Sequence, residues 1–424
     1  MNVNAVLGLQ WGDEGKAKII DLLAKESDVI IRFAGGANAG HTVNINGEKF
    51  VFHLVPSGMF YEHTTCLLGN GVVIEIETMF DEIEMLESKG LEVVSRLGIS
   101  NRAHIVFPFH IQLDGLREKA RGAESLGTTL RGIGPCYQDK IARRGLRFGD
   151  MKDWDVFLKK LKMLHEAHAN EMKKLYDADI IPLDEVISKL EARKPKLIPM
   201  IKDTGYYIRN AENQGKRILV EGAQAALLDI DHGTYPFVTS SVTTAGNIFS
   251  GTGLSPKKIN IIGIVKAYCT RVGSGPFPGE ETGEIGKYLG TVGKEFGATT
   301  ERPRRCGWLD LVSVKYAALL SGVDEIYLTK LDVLSGLKKI KLITDYKGYE
   351  IGQYPATIKE LDNVEINTEE FDGWDENISG CKNFSEMPEN ARNYVIRIQE
   401  ILEVPVNFIS VGAERKQNIQ FCSS

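Results

Sequence analysis

The stretch Gly8-Leu9-Gln10-Trp11-Gly12-Asp13-Glu14-Gly15-Lys16-Ala17-Lys18 constrains this chain more than any other. It joins an apolar run, Asn4 to Leu9, that reads as a buried strand to a run with Ile19, Ile20, Leu22 and Leu23 at helical spacing. A strand, a glycine-rich turn and a helix in that order commit the start of the chain to an α/β unit. Glycines let backbone N–H groups converge on an anion, the helix N-terminus adds partial positive charge, and Lys16 and Lys18 can add full charges. The pattern is that of a phosphate cradle, but not of a standard P-loop, which has about four residues between its glycines and a Ser or Thr after its lysine. Ala17 follows Lys16, so no hydroxyl is offered to a metal there, and Asp13 is the nearest hard oxygen ligand.

A second signal moves the reading from phosphate to nucleotide. Glu325 to Leu328 reads as a strand running into Thr329-Lys330-Leu331-Asp332. A carboxylate there can accept from both N1–H and the exocyclic amine of guanine, whereas adenine has no donor at N1. The stem of Lys330 can cover a purine face while its ammonium stays wet. A further apolar strand, Val406 to Ile409, ends in Ser410-Val411-Gly412, whose backbone can close over the guanine O6. Each element alone is more often a solvated turn; together with the first loop they make one coherent nucleotide site.

With 424 residues and 43% apolar content the chain can bury a large core. A formal net charge of −6 gives no general attraction to nucleic acid or anionic membrane, so any basic function is local. The six cysteines, at 66, 136, 269, 306, 381 and 422, include no C-x-x-C pair and suggest neither a disulfide framework nor a zinc site. Reduced thiols, an immediate first strand without a signal peptide and no apolar run of spanning length point to a soluble, cytoplasmic protein.

Strands alternate with helices along the chain, which favours a largely parallel sheet covered on both faces. Asp28 to Phe33 is a second apolar strand, followed by the glycine-rich Ala34-Gly35-Gly36-Ala37-Asn38-Ala39-Gly40-His41-Thr42. Two such loops after consecutive strands belong at the carboxyl edge of an α/β sheet. Asn46-Gly47, between Val43-Asn44-Ile45 and Phe50-Val51-Phe52, predicts a hairpin. Residues 151 to 200 shift to Lys, Glu, Leu and Met at helical spacing and read as a helical insertion, with His165 and His168 on an exposed charged helix. Residues 339 to 400, mixed and charged with Gly and Pro breaks, read as an accessory layer.

Four segments then carry a family resemblance: Gln10-Trp11-Gly12-Asp13-Glu14-Gly15-Lys16, the Gly35 to Thr42 loop, Thr299-Thr300-x-Arg302-Pro303-Arg304-Arg305-Cys306-Gly307-Trp308, and Thr329-Lys330-Leu331-Asp332. They resemble adenylosuccinate synthetases. So do Gly127-Thr128-Thr129, Arg131-Gly132-Ile133-Gly134-Pro135, Ala142-Arg143-Arg144-Gly145, and Glu221-Gly222-Ala223-Gln224 through Asp231-His232-Gly233-Thr234-Tyr235-Pro236. The resemblance runs from about residue 4 to about residue 415. It implies an α/β fold resembling P-loop NTPases, with a mostly parallel central sheet flanked by helices, and residues 1–424 as one GTP-dependent ligase domain. It implies a magnesium-dependent ligation of IMP and L-aspartate to adenylosuccinate, with release of GDP and phosphate through 6-phosphoryl-IMP, the committed step from IMP towards AMP. The alternative class is a GTP-binding switch on the same scaffold.

Residue by residue, the resemblance makes Asp13 the base that removes the N1 proton of IMP and His41 the acid at the phosphoryl group. Lys16 and Gln224 join them as catalytic residues, and Asp13 with the Gly40 carbonyl holds magnesium. At GTP it implies Gly12, Asp13, Glu14, Gly15, Lys16, Ala17 and Lys18, then Gly40, His41 and Thr42, then Arg304, Lys330, Leu331, Asp332, Ser410, Val411 and Gly412. At IMP it implies Asp13, Glu14, Gly15, Lys16, Asn38, Ala39, Gly40, His41, Thr129, Gln224, Thr239 and Arg302, with Arg143 supplied by the other subunit of a homodimer. Aspartate falls to Ala298, Thr299, Thr300, Glu301, Arg302, Pro303, Arg304 and Arg131. Three positions depart from the family pattern: Ala17, Leu130 and Glu301. Ala17 is harmless at negative φ, Leu130 bends its loop differently, and Glu301 is expected to point outward or pair with Arg305.

Overall fold

In β1 (Val3–Gly8) successive side chains enter two different cores: Val6 packs on one face of the sheet, and Val3, Ala5 and Leu7 on the other. β2 (Val29–Arg32) divides in the same way, with Ile30 opposite Val29 and Ile31. Both faces of these strands are dry, as a parallel sheet between helical layers requires. The computed structural model describes residues 2–45, 48–297 and 302–421.

The central sheet continues through β3 (Thr65–Leu68), β4 (Leu97–Ser100), β5 (Ile201–Lys202), β6 (Ile218–Glu221), β7 (Asn260–Lys266), β8 (Glu325–Thr329), β9 (Val406–Ser410) and β10 (Asn418–Gln420). Its spatial order is β10-β9-β8-β7-β1-β6-β2-β3-β4-β5. Every pairing is parallel except that of β10 with β9. The turns that follow β2, β6, β1, β7, β8 and β9 therefore share one carboxyl edge. In an open α/β sheet that edge is where ligands bind.

Helix α1 (Lys16–Ala24) begins at Gly15, whose φ of 87° needs a residue without a β-carbon, and no side chain caps its first turn. α2 (Ile76–Glu87) is capped by Glu75, which accepts from the Glu77 and Thr78 N–H groups. α3 (Pro108–Arg121) and α4 (Ile133–Ile141) flank the 122–132 loop. α5 (Trp154–Tyr176) starts on an Asp153 cap, and α6 (Leu183–Leu197) runs beside it. His165 and His168, read from sequence as lying on an exposed helix, are both buried: α5 turns them into the molecule, against Phe109. Their spacing of one turn reflected an inward apolar stripe that includes Phe157, Leu161, Leu164 and Met172.

The hairpin strands His41–Ile45 and Glu48–Phe52 pair antiparallel, while Asn46-Gly47 lies outside the described residues. Between residues 339 and 400, Lys339–Tyr346 pairs antiparallel with Ile366–Asp372, and helix Glu389–Leu402 presses Tyr394, Val395 and Ile398 into the core beneath β8 and β9. Among the described residues no helix is long and apolar enough to cross a membrane, and Cys66, Cys136, Cys269, Cys306 and Cys381 are free thiols.

Candidate active site

The first loop is folded around a buried anion of its own. Glu14 Oε1 accepts from the Gly12 N–H at 2.9 Å and the Gln10 N–H at 3.1 Å, and Oε2 pairs with Lys16 Nζ at 2.6 Å. Thr329 Oγ1, at the end of β8, donates to the Glu14 carbonyl at 2.5 Å. The Glu14 carboxylate is thus turned inward, two residues before the uncapped start of α1. Gln10 pins the loop to β7, accepting from the Lys266 N–H at 2.8 Å and donating to the Lys266 and Tyr268 carbonyls. Ala17 lies within α1 at negative φ, so its methyl group adds no strain.

A cavity of about 350 Å³ opens beside this loop. Gly12, Asp13 and Lys16 line it together with Asn38, Ala39, Gly40, His41, Thr129, Gln224 and Thr239, residues from five segments of the sequence. Gln224 Nε2 donates to Asn38 Oδ1 at 3.0 Å, and Asn38 Nδ2 to Thr239 Oγ1 at 3.2 Å, making a polar row with Gln224 Oε1 left without a partner. Gln224 reaches this place because Gly35 lacks a side chain: a β-carbon there would meet Gln224 Oε1 at 2.7 Å. His41 is 5% exposed and its Nδ1 lies 2.5 Å from Oε1 of Glu221, a carboxylate with no exposed surface. Ser57 N–H donates to the other Glu221 oxygen at 3.1 Å. His41 Nε2 has no partner. Burial lowers the affinity of His41 for a proton, and Glu221 opposes that shift.

At the β8 and β9 end, Asp332 is half-buried with Oδ1 unpartnered, and burial raises its proton affinity. Leu331 and Val411 bury their side chains in the core, leaving only backbone to face a base. Two sequence expectations change here. Lys18 is not poised at a phosphate: its Nζ donates to Ser410 Oγ at 2.8 Å, the Gly412 carbonyl at 2.8 Å and the Gln417 carbonyl at 3.0 Å. Burial brings its ammonium down to about 8, with Asp332 and Glu414 opposing. Nor is the Lys330 ammonium wet, because it pairs with Glu295 at 2.6 Å and donates to the Gly293 carbonyl at 2.9 Å.

Glu295 was not legible as a site residue. It is 1% exposed and gathers Lys330, Lys266 at 3.2 Å, Arg304 at 2.5 Å and the Tyr268 hydroxyl. Burial disfavours its charge, but the three cations outweigh burial and hold the carboxyl well below the usual range. Arg304 bridges from Glu295 to Asp13, its Nε 2.8 Å from Asp13 Oδ2. The arginine assigned to GTP from sequence thus stands on the carboxylate assigned as base.

Ala298, Thr299, Thr300 and Glu301 lie outside the described residues. The two sides of that segment are joined by a bridge between Phe296 and Pro303 and by the Gly297 N–H to the Arg302 carbonyl at 2.8 Å. Arg302 is exposed near Gly127. Arg305, named as a partner for Glu301, is already paired with Glu280 at 2.8 Å through Nε and donates to the Gly275 carbonyl at 2.7 Å. Arg131 and Thr42 are half-buried and do not line the cavity; Arg143 is exposed and outside it too. The cavity also contains Arg117, Arg121, Arg271 and Ser240, which sequence reading passed over. Arg271 is fully engaged with the Ser274, Pro276 and Phe237 carbonyls, while Arg117 and Arg121 lie on α3, outside every motif.

Comparison with known proteins agrees with this geometry. A sequence model of the adenylosuccinate synthetase family matches residues 5–419. Adenylosuccinate synthetases from Caldanaerobacter subterraneus and Acetivibrio thermocellus are each 48% identical to this chain, with 99% of both chains covered. The structure of a fully ligated adenylosuccinate synthetase from Plasmodium falciparum superposes with a TM-score of 0.95 at 43% identity over 100% of both chains. A cyanophage succinoaminodeoxyadenylate synthetase shares the fold, with a TM-score of 0.63 at 20% identity over 99% of this chain and 95% of the other. A site assembled from the family's own loops, on a chain matched from end to end, leads to one conclusion: this chain belongs to the adenylosuccinate synthetase family.

Proposed function

We propose the following roles in the family's GTP-dependent ligation of IMP and L-aspartate to adenylosuccinate. Asp13 removes the N1 proton of IMP and so loads charge onto O6, which takes the γ-phosphoryl group of GTP with release of GDP. The amine of aspartate then displaces phosphate from C6. The observation that carries this reading is the convergence of Asp13, Lys16, His41 and Gln224 on one cavity, with His41 Nε2 and Gln224 Oε1 buried and unpartnered. Buried polar atoms without partners are rare and mark where a ligand completes the hydrogen bonds.

His41, held by Glu221, is suited to donate to the phosphoryl oxygens, since incoming negative charge opposes the burial that lowers its proton affinity. The uncapped start of α1 and Lys16 face the phosphates. Asn38, Thr129, Thr239 and Gln224 orient IMP, and the unpartnered Asp332 oxygen reads guanine. Asp13 and Gly40 supply a carboxylate and a carbonyl on one cavity wall, the oxygen donors that magnesium takes. A cation held there would neutralise phosphate charge during transfer. For Asp13 to act as base, its ion pair with Arg304 must open. We assign aspartate to the segment around 298–304 and Arg131, and IMP's remaining contact to Arg143 of a second copy in a homodimer.

Because its sheet draws strands from both ends of the sequence, we read residues 1–424 as one ligase domain, and the free thiols support a reducing, cytoplasmic setting. Asp13→Asn tests the base. The variant is expected to lose turnover by about 1,000-fold or more while still binding GTP; turnover within tenfold of the parent, or about 1.4 kcal/mol, would rule the role out.

A further inference from the structure

Asp139, on the last turn of α4, is fully buried and is tied to α3, to α5 and to the turn that follows α4. Its Oδ2 accepts from His110 Nε2 of α3 at 2.9 Å and from His168 Nε2 of α5 at 2.7 Å. Its Oδ1 accepts from Arg144 Nε at 2.6 Å, and its main-chain carbonyl accepts from the Arg144 N–H at 3.0 Å and the Gly145 N–H at 3.1 Å. Between these anchors sits Arg143, exposed and at φ 61°. Left-handed backbone costs a residue with a β-carbon roughly 1–2 kcal/mol, and it persists where its surroundings over-determine it. Asp139 supplies that determination.

The three groups offer ligand atoms within 4.8 Å of one another, a spacing that suits a metal ion. The hydrogen bonds argue otherwise. The Phe107 N–H donates to His110 Nδ1 at 3.0 Å, so the lone pair is on that nitrogen and Nε2 carries the proton that points at Asp139. The Arg144 guanidinium already adds a full positive charge to the same carboxylate. The cluster is a clamp on an anion, and it fastens α4 to α3 and α5, which are themselves joined by Arg117 and Glu171 at 2.6 Å.

We propose that Asp139 is a positioning residue acting in trans: clamped by His110 and His168, it holds the Arg143 turn in the shape that enters the IMP site of a second copy of this chain. The inference rests on the reading that Arg143 serves the neighbouring site. It gives α5, which contributes no residue to the cavity, a part in catalysis as the outer brace of a residue offered across the dimer.

Differently tagged full-length chains carrying Asp13→Asn, Arg143→Ala or Asp139→Asn are co-expressed in pairs, heterodimers are purified, and the KM for IMP is measured. The Asp139→Asn homodimer is expected to raise that KM by about tenfold or more, with kcat and the KM for GTP within about twofold of the parent. In its hybrid with Asp13→Asn, the single working centre receives the Arg143 turn from the chain with an intact Asp139. That hybrid is expected to show the parent KM. A raised KM in the hybrid, or an unchanged KM in the homodimer, overturns the proposal. The Arg143→Ala and Asp13→Asn hybrid is the control: failure to regain activity removes the shared site itself, whereas its success beside a raised KM in the Asp139→Asn hybrid removes only the role of Asp139. If Asp139→Asn does not fold, Arg144→Ala removes one tie from the surface side. The same inheritance of KM supports the proposal, and an unchanged or own-chain effect overturns it.

Discussion

Backbone strain and buried charge concentrate at the residues assigned to chemistry. Asp13, Leu130, Arg143, Gln224 and Lys330 are five of the eight non-glycine residues with positive φ among the described residues. Asp13 and Gln224 of this group line the cavity, and strain of this kind must be held by packing elsewhere. Leu130 carries the cost openly, 43% exposed at φ 55°, a conformation that glycine adopts without strain. His41 shows what the sequence did and did not disclose. Its position after Gly40 was legible, but the pairing with Glu221 was not, since nothing local in the sequence shows that Glu221 folds beneath His41. Glu221→Gln removes the carboxylate that opposes burial, so His41 takes up a proton at lower pH than in the parent. An acid must be protonated to act, and activity is lost as pH rises through its pKa. The alkaline limb of the kcat profile is therefore expected to move to lower pH and kcat to fall on the order of tenfold to 100-fold. An unmoved limb would separate Glu221 from the acid.

Among the elements, the loops at the ends of β1, β2 and β8 were readable because glycine, lysine and aspartate leave a local signature. The links between them were not. Glu295 follows the helix Glu284–Val292, in a stretch without a motif, and its partners Lys266, Tyr268, Arg304 and Lys330 come from β7, from the following turn and from two further segments. No spacing rule connects them; only the fold does. The same applies to Lys18, whose spacing after Lys16 suggested a phosphate contact but whose ammonium fastens α1 to the turn after β9. In Glu295→Gln three cations lose their common anion. A buried charge left unpaired costs about 3–5 kcal/mol, so the variant is expected to unfold at distinctly lower denaturant concentration, with a raised KM for GTP because Lys330 and Arg304 lose their anchor. Unchanged stability and GTP affinity would show that Glu295 does not organise this end of the site.

For the whole molecule, the parallel sheet explains why motifs hundreds of residues apart meet. Once β1 is read as a strand leading into a phosphate loop, the carboxyl-edge rule places the loop after β2 beside it. Strand order was beyond reach of the sequence, because β6 inserts between β1 and β2 from far along the chain and brings Gln224 with it. The brace between α3, α4 and α5 was equally hidden: His168 read as surface until packing turned it inward. The competing class, a nucleotide switch, needs only the phosphate and guanine ends of this edge; the enzyme needs the cavity between them as well. GDP release is therefore the deciding measurement, made with purified protein, magnesium, GTP, IMP and L-aspartate, beside controls that omit each substrate and one that replaces GTP with ATP. This account predicts release only when all three substrates are present, and none with ATP. Release from GTP alone, without IMP or aspartate, would contradict it.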